Sequence, residues 1–166
     1  RIFEGTNEIN RLLVVDTAMK RAMKGDFNLF GQAESLFSNA GKINDEKATG
    51  ESYYQEKRRY VRNFKKALLI CIHGATKQFE KSLVTEQEVL NNIAEMMMET
   101  YMSESLALRV EKMSSIKGDV SLYKDMLDVN IFDTAAIVRK SALEAISAFC
   151  TPESCANLTK AVENLL

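Results

Sequence analysis

The chain has no tryptophan, one proline, one histidine and three cysteines among its 166 residues. Each scarcity excludes something. With Pro152 as the only proline, long stretches contain no residue that forbids a helix. The single histidine, His73, has no Cys, His or acidic partner at ligand spacing, so no metal site is expected. Cys71, Cys150 and Cys155 are an odd count without a framework pattern, and they suit a reducing compartment better than a secreted one. Cys150 and Cys155 flank a helix break but do not form C-x-x-C, and they read as reduced thiols. Long apolar runs are absent: residues 67–72 fall far short of the ~20 needed to cross a bilayer. No basic patch followed by an apolar stretch opens the chain, so no signal peptide is expected. A net charge of −1 gives no overall pull toward nucleic acid or an anionic membrane.

Apolar residues make up 46% and charged residues 27%. That balance, at this length, is enough to bury a core without metals or staples. Glycine and the single proline punctuate the chain, and apolar residues between breaks recur in steps of three and four. A first helix is expected over residues 7–24, with Ile9, Leu12, Leu13, Met19 and Met23 at helical spacing, and a shorter one over 30–40. Residues 41–51 (GKINDEKATGE) are polar and glycine-bounded, and read as a linker or exposed loop.

Three long helices follow. The first, over 52–82, carries Tyr60, Phe64, Leu68, Cys71, Ala75 and Phe79 as an apolar stripe. Gly74 within it has the size that lets a neighbour approach closely, at a propensity cost of ~1 kcal/mol. The second, over 85–113, is expected to open on a capping box, Thr85 with Glu88 three residues later. Leu90, Ile93, Met97 and Tyr101 continue it. The third, over 120–149, buries Leu127, Ile131, Val138, Ala142 and Phe149. A last helix starts with Thr151 as cap and Pro152 in its first turn and runs through Leu158, Val162 and Leu165. No segment alternates as a strand does. The expectation is an all-α fold, an antiparallel up-and-down bundle.

Two surface features each admit a plain structural reading beside a functional one. Residues 57–66 (KRRYVRNFKK) hold six basic residues in ten. Tyr60 and Phe64 fall on the apolar stripe, so the basic residues are read as a solvated face rather than a nucleic-acid or lipid surface. Met96, Met97, Met98 and Met102 supply adaptable packing, part of it exposed or meeting another subunit.

The opening, RIFEGTNEINR, carries the chemistry. Glu4 stands on a tight turn, Glu4-Gly5-Thr6, just before a helix whose amino end favours anions. Taken alone, a glutamate there is most simply a favourable partner of the helix dipole. Ile2, Phe3, Glu4, Gly5, Thr6, Glu8, Ile9 and Arg11 together, however, resemble the segment that closes the active site in the acyl-CoA dehydrogenase family. The resemblance implies that Glu4 is the catalytic base, that Gly5 lies against the substrate, and that Thr6, Asn7 and Glu8 contact FAD. Glutamate stands at position 8 where many members have glutamine, so an amide donor is lost there.

The long helical continuation is similar to the C-terminal extension of the very-long-chain acyl-CoA dehydrogenase branch, with residues 77–95 resembling its middle. Three parts are therefore expected: residues 1–40 end the catalytic helical domain, 41–51 link, and 52–166 form the extension. The resemblance further implies a fatty acyl-CoA substrate, β-oxidation, electron-transfer flavoprotein as electron acceptor and a homodimer. Membrane association is not favoured, and nucleic acid is not a partner. The compartment implied is the cytoplasm in a bacterium or the mitochondrion in a eukaryote. This stretch by itself is expected neither to hold FAD nor to turn over substrate. The alternative is an extension whose task is docking, to its own enzyme or to a membrane.

Overall fold

The computed structural model describes residues 5–166, and among them there are six α-helices and no strand. These are α1 (Asn7–Met23), α2 (Leu29–Ser38), α3 (Tyr53–Phe79), α4 (Gln87–Ser114), α5 (Ser121–Phe149) and α6 (Pro152–Leu165). Short 3-10 turns occupy Ala40–Lys42 and Glu80–Thr85. The all-helical expectation holds, with ends within a few residues of the breaks read from glycine and proline.

Helices α3, α4 and α5 pack pairwise and form the body of the bundle. Their polar pairs show the directions. Arg58 meets Glu111 and Lys65 meets Glu104, so α3 and α4 run antiparallel. Tyr53 reaches Asp128 while Cys71 lies against the Ala142 carbonyl, so α3 and α5 run parallel. Phe64, Ile70, Ile93, Met96, Leu127 and Ile146 are fully buried at their common centre. Each such side chain contributes roughly 1.5–3 kcal/mol by leaving water. Gly74 of α3 lies directly against the Phe149 ring at the end of α5, where a Cβ would overlap the ring. Its missing side chain permits that approach. Helix α1 packs on α4, α2 on α3, and α6 on α3 and α5.

The caps differ from expectation in one place. Thr85 does not open α4: its hydroxyl donates to the Ser82 carbonyl at 2.7 Å and ends a 3-10 turn that runs on from α3. Glu86 is the cap residue of α4 and makes no side-chain cap bond. The reciprocal boxes occur instead at Ser52–Gln55 and Thr151–Ser154. Tyr101 was expected on the buried face of α4 but is exposed, and Met96 takes the core position. On α1 the buried residues are Val15 and Ala22, whereas Ile9, Leu13 and Met23 are exposed.

The basic run is not simply a solvated face. Arg59 is only 2% exposed and Lys57 8%. The Arg59 guanidinium donates to Asp45 and, at 2.9 Å, to Glu51. Lys57 pairs with Asp128 at 2.8 Å and lies over the Tyr53 ring. A buried charge is tolerated only with such partners. Residues 43–51 are irregular but pinned. Ile43 is in the core, Asn63 donates to Asp45 at 2.8 Å, and Asn164 donates to the Ile43 carbonyl at 3.1 Å. Asn63 also reaches the Leu165 carbonyl at 3.0 Å.

Burial alone pushes the Asp45 carboxyl up, but hydrogen bonds from Arg59 and Asn63, with the charges of Arg59 and Lys66, bring it below its ordinary value. A depressed carboxyl contributes stability that is present above its unfolded pKa, here 3.8, and is lost as pH falls through the folded value. Asp45→Asn should therefore lower stability by roughly 1–2 kcal/mol at neutral pH. The gap to the native protein should shrink below about pH 4. Urea unfolding from pH 7 to pH 3 checks this, and a gap independent of pH contradicts it.

Candidate functional site

The described part of the motif is Gly5 to Arg11, at the amino end of α1. Gly5 has φ +116°, a conformation that side chains disfavour, and a Cβ there would stand 3.2 Å from the Asn10 side-chain oxygen. Both facts call for glycine. Thr6 follows in extended conformation and caps α1, its hydroxyl oxygen accepting from the Ile9 N–H at 3.3 Å. The Asn10 N–H bonds the Thr6 carbonyl at 3.0 Å. Asn7 is the first helical residue, and Glu8 adds a carboxylate to the first turn, where the helix dipole favours it. Gly5 and Thr6 are half-buried, while Asn7 and Glu8 are exposed. The structure thus brings four of the expected site residues onto one turn at the end of a helix. The fifth, Glu4, lies outside the described residues.

What holds this turn in place was not read from the sequence. Arg11, one turn into α1, forms an ion pair with Glu95 of α4. Val15, one turn further, is 1% exposed. Arg11 thus heads the stripe that faces α4, and an arginine in that position calls for an acidic partner on the facing helix. That was the available signal. Beside the pair is a cleft of about 350 Å³ lined by Arg11, Asn91, Asn92, Glu95, Lys140 and Ser141. Ile137 adds an apolar wall, and the cleft lies between α1, α4 and α5.

Other candidates take plainer roles. His73 is half-buried with its ring tilted over Phe37 at 4.8 Å, and burial pushes its pKa down. Among the described residues no group of three or more His, Cys, Asp or Glu side chains is placed to hold a metal. Met96 is core, whereas Met102 is exposed. Cys150 and Cys155, read above as reduced thiols, are joined by a disulfide. The cause is local: they stand on either side of the Thr151 cap, where the turn brings their side chains together.

A family model described as acyl-CoA dehydrogenase, C-terminal domain, matches residues 63–159, which run from α3 into α6. A probable acyl-CoA dehydrogenase of Bacillus subtilis (strain 168) is 33% identical over 99% of this chain. The crystal structure of an acyl-CoA dehydrogenase complexed with FAD from Bacillus anthracis superposes with a TM-score of 0.90 at 30% identity, again over 99% of this chain. The chain spans 28% of the length of each of these two relatives.

If Arg11 and Glu95 mount the motif turn on the bundle, Arg11→Met should loosen α1 and leave the body intact. Amide hydrogen exchange across α1 should quicken by about tenfold, with α3 to α5 unchanged. Equal protection of α1 in both proteins would show that Val15 and its neighbours suffice.

Proposed function

The chain belongs to the acyl-CoA dehydrogenase C-terminal domain family, and on that premise we propose that its parent protein is an FAD-dependent dehydrogenase. The substrate we propose is a fatty acyl-CoA thioester, oxidised between its α and β carbons to the trans-2-enoyl-CoA within β-oxidation. The observation that carries this reading is the Gly5–Thr6 turn, with its positive φ and helix cap, in the sequence that resembles the family's active-site segment.

In this reading Glu4 removes the α-proton of the thioester. Its backbone N–H donates to the thioester carbonyl, where enolate charge develops. Gly5, without a side chain, leaves the substrate room beside that carbonyl. The residues present fit one edge of an FAD site. The amino end of α1 offers backbone donors and a positive dipole end to phosphate. The Thr6 hydroxyl accepts from Ile9 and still has its own hydrogen to donate. Asn7 brings an exposed carboxamide, and the Glu8 carboxylate suits a hydroxyl donor rather than a phosphate. FAD, when bound, supplies the acceptor for the β-hydride. The task of residues 5–11 is to hold that edge still, through the cap at Thr6 and the Arg11–Glu95 pair.

Electrons would pass on to electron-transfer flavoprotein, and the parent would be a homodimer of the long-tailed, very-long-chain type. Residues 1–40 would then close the catalytic domain, 41–51 join it to the extension, and 52–166 form that extension. Leu122, Met126, Val129 and Phe132 project from α5 on the side away from the core, 55–76% exposed, and offer apolar surface for pairing. The same type would work in the bacterial cytoplasm or the mitochondrion. Membrane association is disfavoured because Lys57, Arg58, Arg59 and Lys65 are engaged with the chain's own carboxylates. No helix of the described residues is long and apolar enough to cross a membrane.

In the full-length parent, Glu4→Gln should nearly abolish flavin reduction by acyl-CoA while FAD content stays normal. An amide keeps the shape and the backbone donor but cannot accept a proton. Flavin reduction within about tenfold of the native rate, ~1.4 kcal/mol of barrier, would place the base elsewhere.

A further inference from the structure

Cys150 ends α5 in extended conformation, and Cys155 stands one turn into α6. Counted from the cap Thr151, they occupy the position just before the cap and the fourth helical position. Those are the two positions whose side chains meet in a hydrophobic staple. Here the staple is covalent, with the two Cα atoms 5.1 Å apart.

The junction does not depend on that bond for its shape. The Thr151 N–H donates to the Ser154 hydroxyl at 3.0 Å, and the Ser154 N–H donates to the Thr151 hydroxyl at 3.3 Å. The Cys150 and Cys155 amides bond the Ile146 and Thr151 carbonyls at 2.8 and 2.9 Å. Pro152 presets the first turn. Beyond it, Leu158, Ala161, Val162 and Leu165 anchor α6 in the core. With the backbone held this way, the two sulfurs remain neighbours whether or not they are joined. A loop this short also constrains little of the unfolded chain, so closing it adds less stability than a long-range bridge would.

Access separates this pair from the third cysteine. Cys150 and Cys155 are each half-buried, within reach of a small thiol. Cys71 is fully buried, with burial pushing its thiol up to about 12, so it neither meets nor attacks a solvent disulfide.

We propose that Cys150 and Cys155 form a reversible dithiol–disulfide site, exchanged by low-molecular-weight thiols of the glutathione class, that changes covalent state without changing the fold. In the reducing direction a thiolate of the small thiol attacks one sulfur and the Cys150–Cys155 bond breaks. A mixed disulfide forms and the other cysteine leaves as thiolate. A second small thiol then attacks the mixed disulfide, releasing the small-molecule disulfide and the second cysteine. Two electrons and two protons end on the cysteine pair. The oxidising direction is the reverse, with the small-molecule disulfide as oxidant.

The test equilibrates the intact protein in mixtures of reduced and oxidised glutathione and traps free thiols with a maleimide for mass spectrometry. The pair should convert fully between two labelled thiols and none as the mixture becomes oxidising, with Cys71 unlabelled throughout under native conditions. Far-ultraviolet circular dichroism should be the same at both ends. In Cys150→Ser, Cys155 should accumulate as a stable mixed disulfide with glutathione, since its internal resolving thiol is gone. A bridge that excess reduced glutathione cannot open in the folded protein overturns the proposal. So do thiols that oxidised glutathione cannot close, and so does loss of helix on reduction.

Discussion

The constraint on which most of this structure depends is the burial of one positive charge. Arg59 points inward from α3 and is almost wholly removed from water. Such a charge is affordable only where carboxylates and further hydrogen bonds surround it. Asp45 and Glu51 provide them, and both belong to the irregular stretch after α2. That stretch cannot lift away without leaving a guanidinium uncompensated. Holding it down places Ile43 in the core and its carbonyl beneath Asn164, which fixes the end of α6. Asn63, one turn along α3 from Arg59, bonds both Asp45 and the Leu165 carbonyl. One buried cation thus joins a helix, a loop and the last helix into a single unit.

The same logic on a smaller scale mounts the motif. Arg11 reaches from α1 to Glu95 on α4, a helix whose other side is buried against α3 and α5. The turn at Gly5 and Thr6 therefore stands on a rigid body, not on a free chain end. A site built from backbone donors at a helix terminus needs that rigidity, because misplacement by about 1 Å can cost a hundredfold in rate. The family match runs from within α3 through α4 and α5 into α6, and the two relatives align over 99% of the chain. In the proposed enzyme the bundle and the motif would act as two parts of one device.

The sequence showed the helices clearly and the forces between them poorly. Glycine, proline and apolar stripes marked α3, α5 and α6, because those signals act within a few residues. The Thr85 box failed because a 3-10 turn carried over from α3 consumed the threonine, and nothing local records that. Arg59 looked like one more solvated cation, since its partners stand 8 and 14 residues away in a loop with no pattern of its own. Cys150 and Cys155 were misread for the opposite reason: the comparison was with C-x-x-C, whereas helix-cap geometry brings together residues five apart. The candidate site was legible through resemblance, because its residues are contiguous. Its anchor was not, because Glu95 is far along the chain.

If this helical body carries the catalytic turn of a dehydrogenase of fatty acyl-CoA, as proposed, the reaction is visible at the flavin of the parent protein. The most direct measurement is an anaerobic titration of the full-length parent, purified with FAD, against a saturated long-chain acyl-CoA. The visible flavin absorbance should bleach as substrate is added, and the matching trans-2-enoyl-CoA should appear in step. A flavin that stays oxidised at saturating acyl-CoA across chain lengths, with the enzyme folded and FAD bound, would contradict it.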